Sequence, residues 1–417
     1  MIKMDKVYDV AVIGAGPAGC MAAIQASKSG AKVVLLEKNK ELGKKILLSG
    51  GGRCNFTNNT SPEEFIERFG KAGNFLRPAL SVFSNQDVIS FFKDKGLKSR
   101  IEKDGRVFPV SNRAGSVLDV LRRCLRQETV EIFYNFRVQR IIRDENYFCI
   151  YIKGQNILKA KKVILATGGV TYRATGSSGE GLDIAKSLRH QIVEPTAGLI
   201  PLILKENWIK KVQGIALDRV KLIFRAKNKK IASGIGGIIF THFGISGPLA
   251  LDLSGLVAAE LKKQQQVSLF LDIFPDISEQ EWDKKLIGLF KDRGSSRVKN
   301  ILSSFLPLRM VDTLSMVFGF DTACRASQLD RLQRLAIIRA FKKIVFTVKG
   351  TLPLDEGMVT QGGIPTREIN PKTMESRIIP GFYFAGEIID CSASSGGYNI
   401  QQAFSTGFLA GRSASYG

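Results

Sequence analysis

The sequence predicts an α/β protein: a Rossmann-like nucleotide-binding domain, discontinuous along the chain, with a β-rich segment and a helical segment inserted between its halves. Three observations predict it. Residues 10–19 read as a buried strand running into a glycine turn and an Ala-rich helix. Residues 161–169, KKVILATGG, are another apolar strand ending in glycines. Residues 378–413 give strand, glycine loop and helix once more at the far end.

The β-branched run Val10 to Ile13 leads into Gly14-Ala15-Gly16-Pro17-Ala18-Gly19, and the apolar run Lys32 to Leu36 ends in Glu37. Gly14 permits a tight turn, Gly16 lets a pyrophosphate approach the helix N-terminus, and Gly19 lets the helix pack close to the sheet. Glu37 stands about 20 residues beyond the glycines, where a carboxylate accepts from ribose hydroxyls. Three glycines alone are weak evidence. Here strand, helix and acid are all in register. The apolar stretch holds Gly-Pro and lacks a basic leader with a cleavage site, which argues against a signal peptide.

Residues 41–59, ELGKKILLSGGGRCNFTNN, form a loop through which no P-loop pattern can be drawn. Helical periodicity is expected near 62–70, 73–84, 86–95 and 112–126, the last capped by Ser111 or Asn112. Strands fill 130–153, with a turn at Asp144-Glu145-Asn146, and a helix covers 179–190. Short strand-like runs such as LDRVKLIFRA and QQVSLFLDIF follow, then apolar spacing of three and four through 278–341. The expected domains are 1–193 with 348–417 for the nucleotide, 194–275 with 342–347 as the β-rich insertion, and 276–341 as a helical domain.

Composition bounds the function. With 417 residues, 44% hydrophobic, the chain can bury a core. No run of about 18 apolar residues predicts a membrane span. The six cysteines are scattered without a C-x-x-C pair, and two histidines are too few for most metal sites, so no metal is expected. A reducing cytoplasm is the expected compartment. The net charge is +23: +13 over 1–200, +12 over 201–350 and −2 over 351–417. Such an excess favours polyanionic partners, namely nucleic acid, anionic lipid or acidic substrates, although a generally basic proteome produces the same number.

In the tail, the strand Phe382 to Ala385 runs into Gly386-Glu387, where a carboxylate can hold a sugar hydroxyl. Gly396, Gly397, Tyr398, Asn399 and Ile400 open the last helix, whose N-terminus can stabilise negative charge on a ligand ring. Lys44 and Lys45 stand near the glycine loop and are candidates to balance cofactor phosphates.

Together VIGAGPAG with Glu37, ATGG at 166–169 and FAGE at 384–387 resemble the two-dinucleotide-binding-fold flavoproteins. More narrowly, GKKILLSGGGRCNFTN, GRVFPVSNRAGSVLDVL, ATGGVTYRATGSSGEG, FTHFGISGP and NPKTMESRIIPGFYFAGE with GGYN resemble the BaiN/RdsA-type flavoproteins. These motifs run in order through nearly the whole chain. The resemblance implies an FAD domain with an inserted β-barrel-like domain and a helical domain. It implies FAD contacts from Gly14, Gly16, Pro17, Ala18, Gly19, Glu37, Lys38, Lys45, Gly51, Gly52, Arg53, Thr167, Gly168, Gly386, Glu387, Gly397, Asn399 and Ile400. It also implies hydride addition to an activated C=C, either in large-subunit ribosomal RNA, giving dihydrouridine, or in a conjugated steroid acid. The charge favours RNA. The sequence departs from the family pattern at Cys391-Ser392-Ala393-Ser394-Ser395, which keeps the loop's length but not its Asp or Tyr.

Several residues carry two readings. Cys54 is a proton donor or a small buried apolar residue. His242 is a general acid or a structural histidine. Arg53 binds a substrate phosphate or braces its loop. Arg331, Arg334, Lys342 and Lys343 lie in a stretch whose one acid is Asp330, and they track an RNA backbone or form a solvated face. No second complete G-x-G-x-x-G occurs. NAD(P)H is therefore expected to dock transiently over the flavin, unless another reductant serves. The expected partners are ribosomal RNA or its assembly precursor, otherwise a small molecule. Alternatives are a small-molecule enone reductase or amine oxidase, and a flavin-bearing RNA-binding or assembly factor without turnover.

Overall fold

A computed structural model of the chain describes residues 6–102, 104–154 and 157–416. The chain divides into two compact units, one made of residues up to Ala197 together with Gly357 onward, the other of Gly198–Glu356.

The first unit is built on a sheet whose centre is parallel. Val7–Ile13 lies between Val33–Glu37 and Leu158–Leu165, with Glu131–Tyr134 beyond Val33–Glu37. Strands covered on both faces must be apolar throughout, and Val10, Val12, Val34 and Leu35 are fully buried. The Leu158–Leu165 strand divides its free edge. Its first half pairs antiparallel with Phe148–Ile152 and its last three residues pair parallel with Phe382–Phe384. The tail therefore returns to the middle of the first sheet, and the glycine turns after Ile13, Leu165 and Phe384 all leave the carboxyl ends of parallel strands. In open α/β sheets that edge is where ligands bind.

Two helices brace this edge. Pro17–Lys28 and Tyr398–Ser415 pack with no side chain between them at two points. A Cβ on Gly407 would stand 2.3 Å from the Ala18 carbonyl oxygen, and one on Gly411 would stand 2.3 Å from that of Ala22. The helix Ala114–Gln127 buries Val117, Leu118, Leu121 and Leu125 on one face. Its N-cap is Arg113, not the expected Ser111 or Asn112. Ser111 is paired with the Ser116 hydroxyl, and the Asn112 side chain accepts from Arg100, so neither reaches the helix amides.

The second unit holds a closed six-stranded barrel. The helix Pro248–Lys262 lies along the strand Lys229–Phe240, where Gly234 and Gly236 leave room for Leu249. The helices Glu279–Asp292, Leu308–Phe318 and Arg331–Lys342 share one continuous apolar core with the barrel. Trp282 is fully buried there, with Phe274, Phe305 and Phe341 about its ring. The β-rich and helical segments, expected as two domains, lie in one compact unit because this core runs through both. No helix among the described residues is long and apolar enough to cross a membrane.

A valine at Gly411 forces a branched side chain against the Ala22 carbonyl, an overpacking cost of about 1–3 kcal/mol or more. Denaturant titration of G411V should show that loss. A second test uses the buried His190, whose Nδ1 meets Glu368 at 2.9 Å and whose Nε2 meets the Ser376 hydroxyl at 3.0 Å. Burial holds its pKa below the ordinary 6.5 despite Glu368. The unfolded chain therefore takes this proton first, and the stability contributed by the neutral ring is complete above about 6.5 and falls as the pH drops below it. Melting temperatures across pH 5–8 should decline on the acid side, and H190Q should flatten that decline.

Candidate cofactor site

The three glycines of the first turn meet different surroundings. Gly14 has φ +98, and a Cβ on it would lie 2.7 Å from the Ala166 carbonyl oxygen. A Cβ on Gly19 would strike the Gly14 carbonyl oxygen at 1.8 Å. Gly16 is extended, with φ −76, and has nothing within 4 Å of its Cβ direction. Two glycines thus close the protein on itself, and the third opens a space before the helix. That helix starts with Pro17, has no side-chain cap and carries no acid in its first turn. Its leading amides have no intrahelical acceptors, and its dipole presents positive charge to the space.

Glu37, buried at the end of its strand, shapes the loop. One carboxylate oxygen accepts from the Ala15 amide at 2.8 Å, the other from the amide and side chain of Asn39 at 2.8 and 2.7 Å. The oxygen bonded to Ala15 keeps acceptor capacity for a sugar hydroxyl, while Asn39 occupies both lone pairs of the other. Asn39 in turn donates to the Thr175 carbonyl at 3.0 Å. The Lys38 ammonium is matched by Ser178 at 2.6 Å and Glu180 at 3.0 Å.

The second carboxylate, Glu387, follows the Phe382–Phe384 strand. It receives the Lys45 ammonium at 2.5 Å and the Thr360 amide at 2.7 Å. Lys45 also donates to the Thr171 hydroxyl at 3.1 Å. Lys45 therefore answers a carboxylate within the protein. Thr360 ties these parts together, since its hydroxyl accepts from the Val170 amide at 2.9 Å. Gly168 turns with φ +75. Beside it the buried Thr167 hydroxyl has no hydrogen-bond partner.

The third wall is the loop after Leu48. Gly50, Gly51, Gly52 and Cys54 all have left-handed backbone, with φ between 56 and 84. Arg53 is braced at the surface: its guanidinium donates to Glu102 at 2.8 Å and lies 3.9 Å from the Phe108 ring centroid. Cys54 is fully buried, and burial pushes its thiol up to about 12, so it is an un-ionised S–H at neutral pH. Gly397 starts the last helix with φ +96, and a Cβ there would lie 2.5 Å from the Thr57 carbonyl oxygen. The Asn399 side chain closes the altered 391–395 loop, accepting from the Ala393 amide at 2.8 Å and donating to its carbonyl at 3.0 Å. The loop thus keeps its form through Asn399, without the Asp or Tyr of the family pattern. Ile400 is half-buried beside it.

The structure brings Gly14 to Gly19, Glu37, Lys38, Lys45, Gly51 to Cys54, Thr167, Gly168, Gly386, Glu387 and Gly397 to Ile400 into the first unit. Asn39, Thr360 and Glu102, which help hold these groups in place, carried no motif, while Thr171 and Phe108 lay inside quoted motifs without being singled out as site residues. His242 belongs to the second unit, exposed, with Phe243 4.9 Å from its ring. Two of the four cations expected to track RNA are engaged otherwise. Lys342, 8% exposed, is held by Asp272 at 2.7 Å and by the carbonyls of Phe274 and Ile277. Arg334, 17% exposed, is held by Asp283 at 2.7 Å. Lys343 pairs with Glu279 at 2.8 Å but is 62% exposed, and Arg331 is exposed. Acids from the neighbouring helix and strand answer a stretch that looked unbalanced along the chain. No cluster of metal-ligating side chains occurs among the described residues.

The space before Gly16 and the acid at the end of the second parallel strand fit the diphosphate and ribose of FAD. Known proteins point the same way. The sequence model of the HI0933-like protein Rossmann domain matches residues 8–413. The chain is 31% identical over 407 residues to a 3-dehydro-bile acid delta(4,6)-reductase of Clostridium scindens, covering 97% of this chain and 98% of that one. It is 29% identical over 400 residues to the ribosomal RNA dihydrouridine synthase of Escherichia coli, covering 96% of each. Among solved structures, a 3-ketosteroid delta1-dehydrogenase from Sterolibacterium denitrificans superposes with a TM-score of 0.55 at 14% identity, covering 98% of this chain and 99% of that one. A flavocytochrome c3 fumarate reductase gives 0.53 at 19%, covering 99% and 78%. These two likenesses concern the fold.

The glycine geometry predicts a separation of effects. A Cβ on Gly16 meets no protein atom, so G16V should fold with the melting temperature of the flavin-stripped parent and yet purify without flavin absorbance. G14V is strained in both backbone and space and should lose stability as well as flavin. A yellow G16V protein would contradict this assignment of the open space.

Proposed function

The chain belongs to the HI0933-like Rossmann family, and from that premise we propose that it converts a uridine of large-subunit ribosomal RNA to dihydrouridine. The protein is an FAD-dependent oxidoreductase. The observation that carries the choice of RNA is the charge: +23 overall, with an excess of basic residues through 201–350 that pairing within the fold absorbs only in part. Phosphate neutralisation by such cations supplies the sequence-independent part of RNA affinity. The likeness to the synthase of Escherichia coli supports the same reading.

The first turn, Glu37 and the Glu387 region would hold FAD, which when reduced would supply a hydride to one carbon of an electron-poor C=C. In uracil the hydride goes to C6 and a proton to C5, so the base gains H2. The two electrons come from the reduced cofactor, for which NAD(P)H is the proposed reductant, docking transiently. The residues of this chain do the positioning. Gly16 and the first helix hold the diphosphate, Glu37 orients the ribose, and Lys45 neutralises Glu387 so that no uncompensated acid faces the cofactor. An RNA base reaches such a site only when unstacked from its strand.

Mass spectrometry of ribosomal RNA from a strain lacking the gene tests the reading. One uridine position should lose the mass of H2, and the parent gene should restore it. Unchanged RNA with loss of reduction of a conjugated steroid ketone favours the activity that the Clostridium scindens relative is named for. Unchanged chemistry with defective ribosome assembly favours a binding factor without turnover. Cys54 and His242 are the proposed proton donors. Flavin-loaded C54A and H242Q separate them: the donor's variant should lose dihydrouridine formation at unchanged flavin content, and full activity in both would remove both from the chemistry.

A further inference from the structure

The hairpin at one end of the barrel carries charge that the fold does not need. Ala216–Ala226 and Lys229–Phe240 pair antiparallel out to Ala226 opposite Lys229, leaving Lys227 and Asn228 as a two-residue turn. Both are left-handed, with φ 46 and 63. Turns of this hand favour Asn-Gly, Asp-Gly or Gly-Gly, because a long side chain crowds its own backbone there. A lysine at the first position is therefore a strained choice. Just below the turn Arg225 lies directly opposite Lys230, a like-charge pair that works against the hairpin.

Lys221, Arg225, Lys227, Lys229 and Lys230 fall within ten residues that contain no acid. The last four are exposed. Among the described residues none of the five has a carboxylate partner. The acid opposite Lys221 on the next strand is Asp272, and it is taken by Lys342. On the same outer face the partly exposed ring of Phe270 lies opposite Ile223, with the Arg225 guanidinium 5.5 Å from its centroid. Like charge kept together at a strained, solvent-facing tip points to a polyanion that offsets the repulsion.

We propose that this hairpin, from Lys221 to Lys230, is an RNA-docking arm whose cations contact successive phosphates, with Phe270 as a stacking surface beside them. The proposal rests on the RNA reading above. A membrane-binding tip would present apolar side chains flanked by cations. Here the tip itself is Lys227-Asn228, which favours phosphates over lipid.

The test uses the flavin-loaded full chain and a transcript of large-subunit ribosomal RNA, with binding measured from roughly 50 to 200 mM salt. Serine at Lys227, Lys229 and Lys230 together should lower the salt slope by about 0.7–0.9 for each phosphate left without its cation. Flavin content should not change. A control with serine at the exposed Arg331, Arg339 and Lys349 should lose less. K227N with N228G gives the turn its favoured residues, so it should raise the melting temperature while weakening binding, a combination that a merely structural turn would not give. A hairpin variant that binds like the parent overturns the arm and leaves the RNA reading standing, as does an equal loss in the control. A parent that does not bind the transcript overturns both. Capture of the parent by phosphatidylcholine vesicles containing phosphatidylglycerol, without RNA binding, assigns the tip to lipid instead.

Discussion

The first helix is held by backbone, and the cofactor site depends on that. Gly19 brings its first turn onto the Gly14 carbonyl, while Gly407 and Gly411 bring the last helix onto the carbonyls of Ala18 and Ala22. Gly386 presses on the other side, where a Cβ would lie 2.7 Å from that of Ala18. Packing of this kind leaves no rotamer free to relax, so the helix N-terminus has one position relative to the three parallel strands. The space before Gly16 lies at that fixed N-terminus, with no protein atom within 4 Å of a Cβ placed there. The last helix is fixed by the same packing. Its own N-terminus is then set against the Thr57–Asn58 strand, with Thr57 donating to Gln401 at 2.6 Å and Asn58 to the Gly396 carbonyl at 3.0 Å.

Two carboxylates are treated in opposite ways, and the difference is chemical. Glu37 is met only by neutral donors, the Ala15 amide and Asn39. The oxygen that meets Ala15 keeps a lone pair for a ribose hydroxyl. Glu387 is met by the Lys45 ammonium as well as the Thr360 amide. A second bare carboxylate beside a cofactor that carries its own negative charges would repel them, and Lys45 removes that repulsion while leaving the Gly386 turn in place. The cation read from sequence as a phosphate ligand is thus bound to a carboxylate of the protein itself.

What was legible in the sequence was local. The first turn, Glu37 and the Gly386-Glu387 turn lie within short spans where spacing alone fixes geometry. Thr360, Glu102 and the bond from Asn39 to Thr175 were not legible, because each acts on a residue far away in the chain. Thr360 reaches Val170 and Glu387 from a strand that carries no motif. The Ser111 or Asn112 cap failed for a related reason: a suitable side chain sat near the helix start, but tertiary partners claimed it first. The merging of barrel and helices into one unit was hidden too, since period marks elements and not the core they share.

Charge shows the same limit most sharply. Counted along the chain, residues 325–349 have almost no acid to meet their cations. Counted in space, Asp283, Asp272 and Glu279 come from other elements to meet Arg334, Lys342 and Lys343. The net charge of +23 is thus a sum over two populations. One fastens helices to the barrel, and added salt acts on it little where it is buried. The other stands on turns and outer strand faces without a carboxylate in reach, and salt screens it fully. A polyanion competes only for the second population. Which cations belong to it follows from strand register and helix packing, so the footprint of such a partner is a property of the fold and not of the composition.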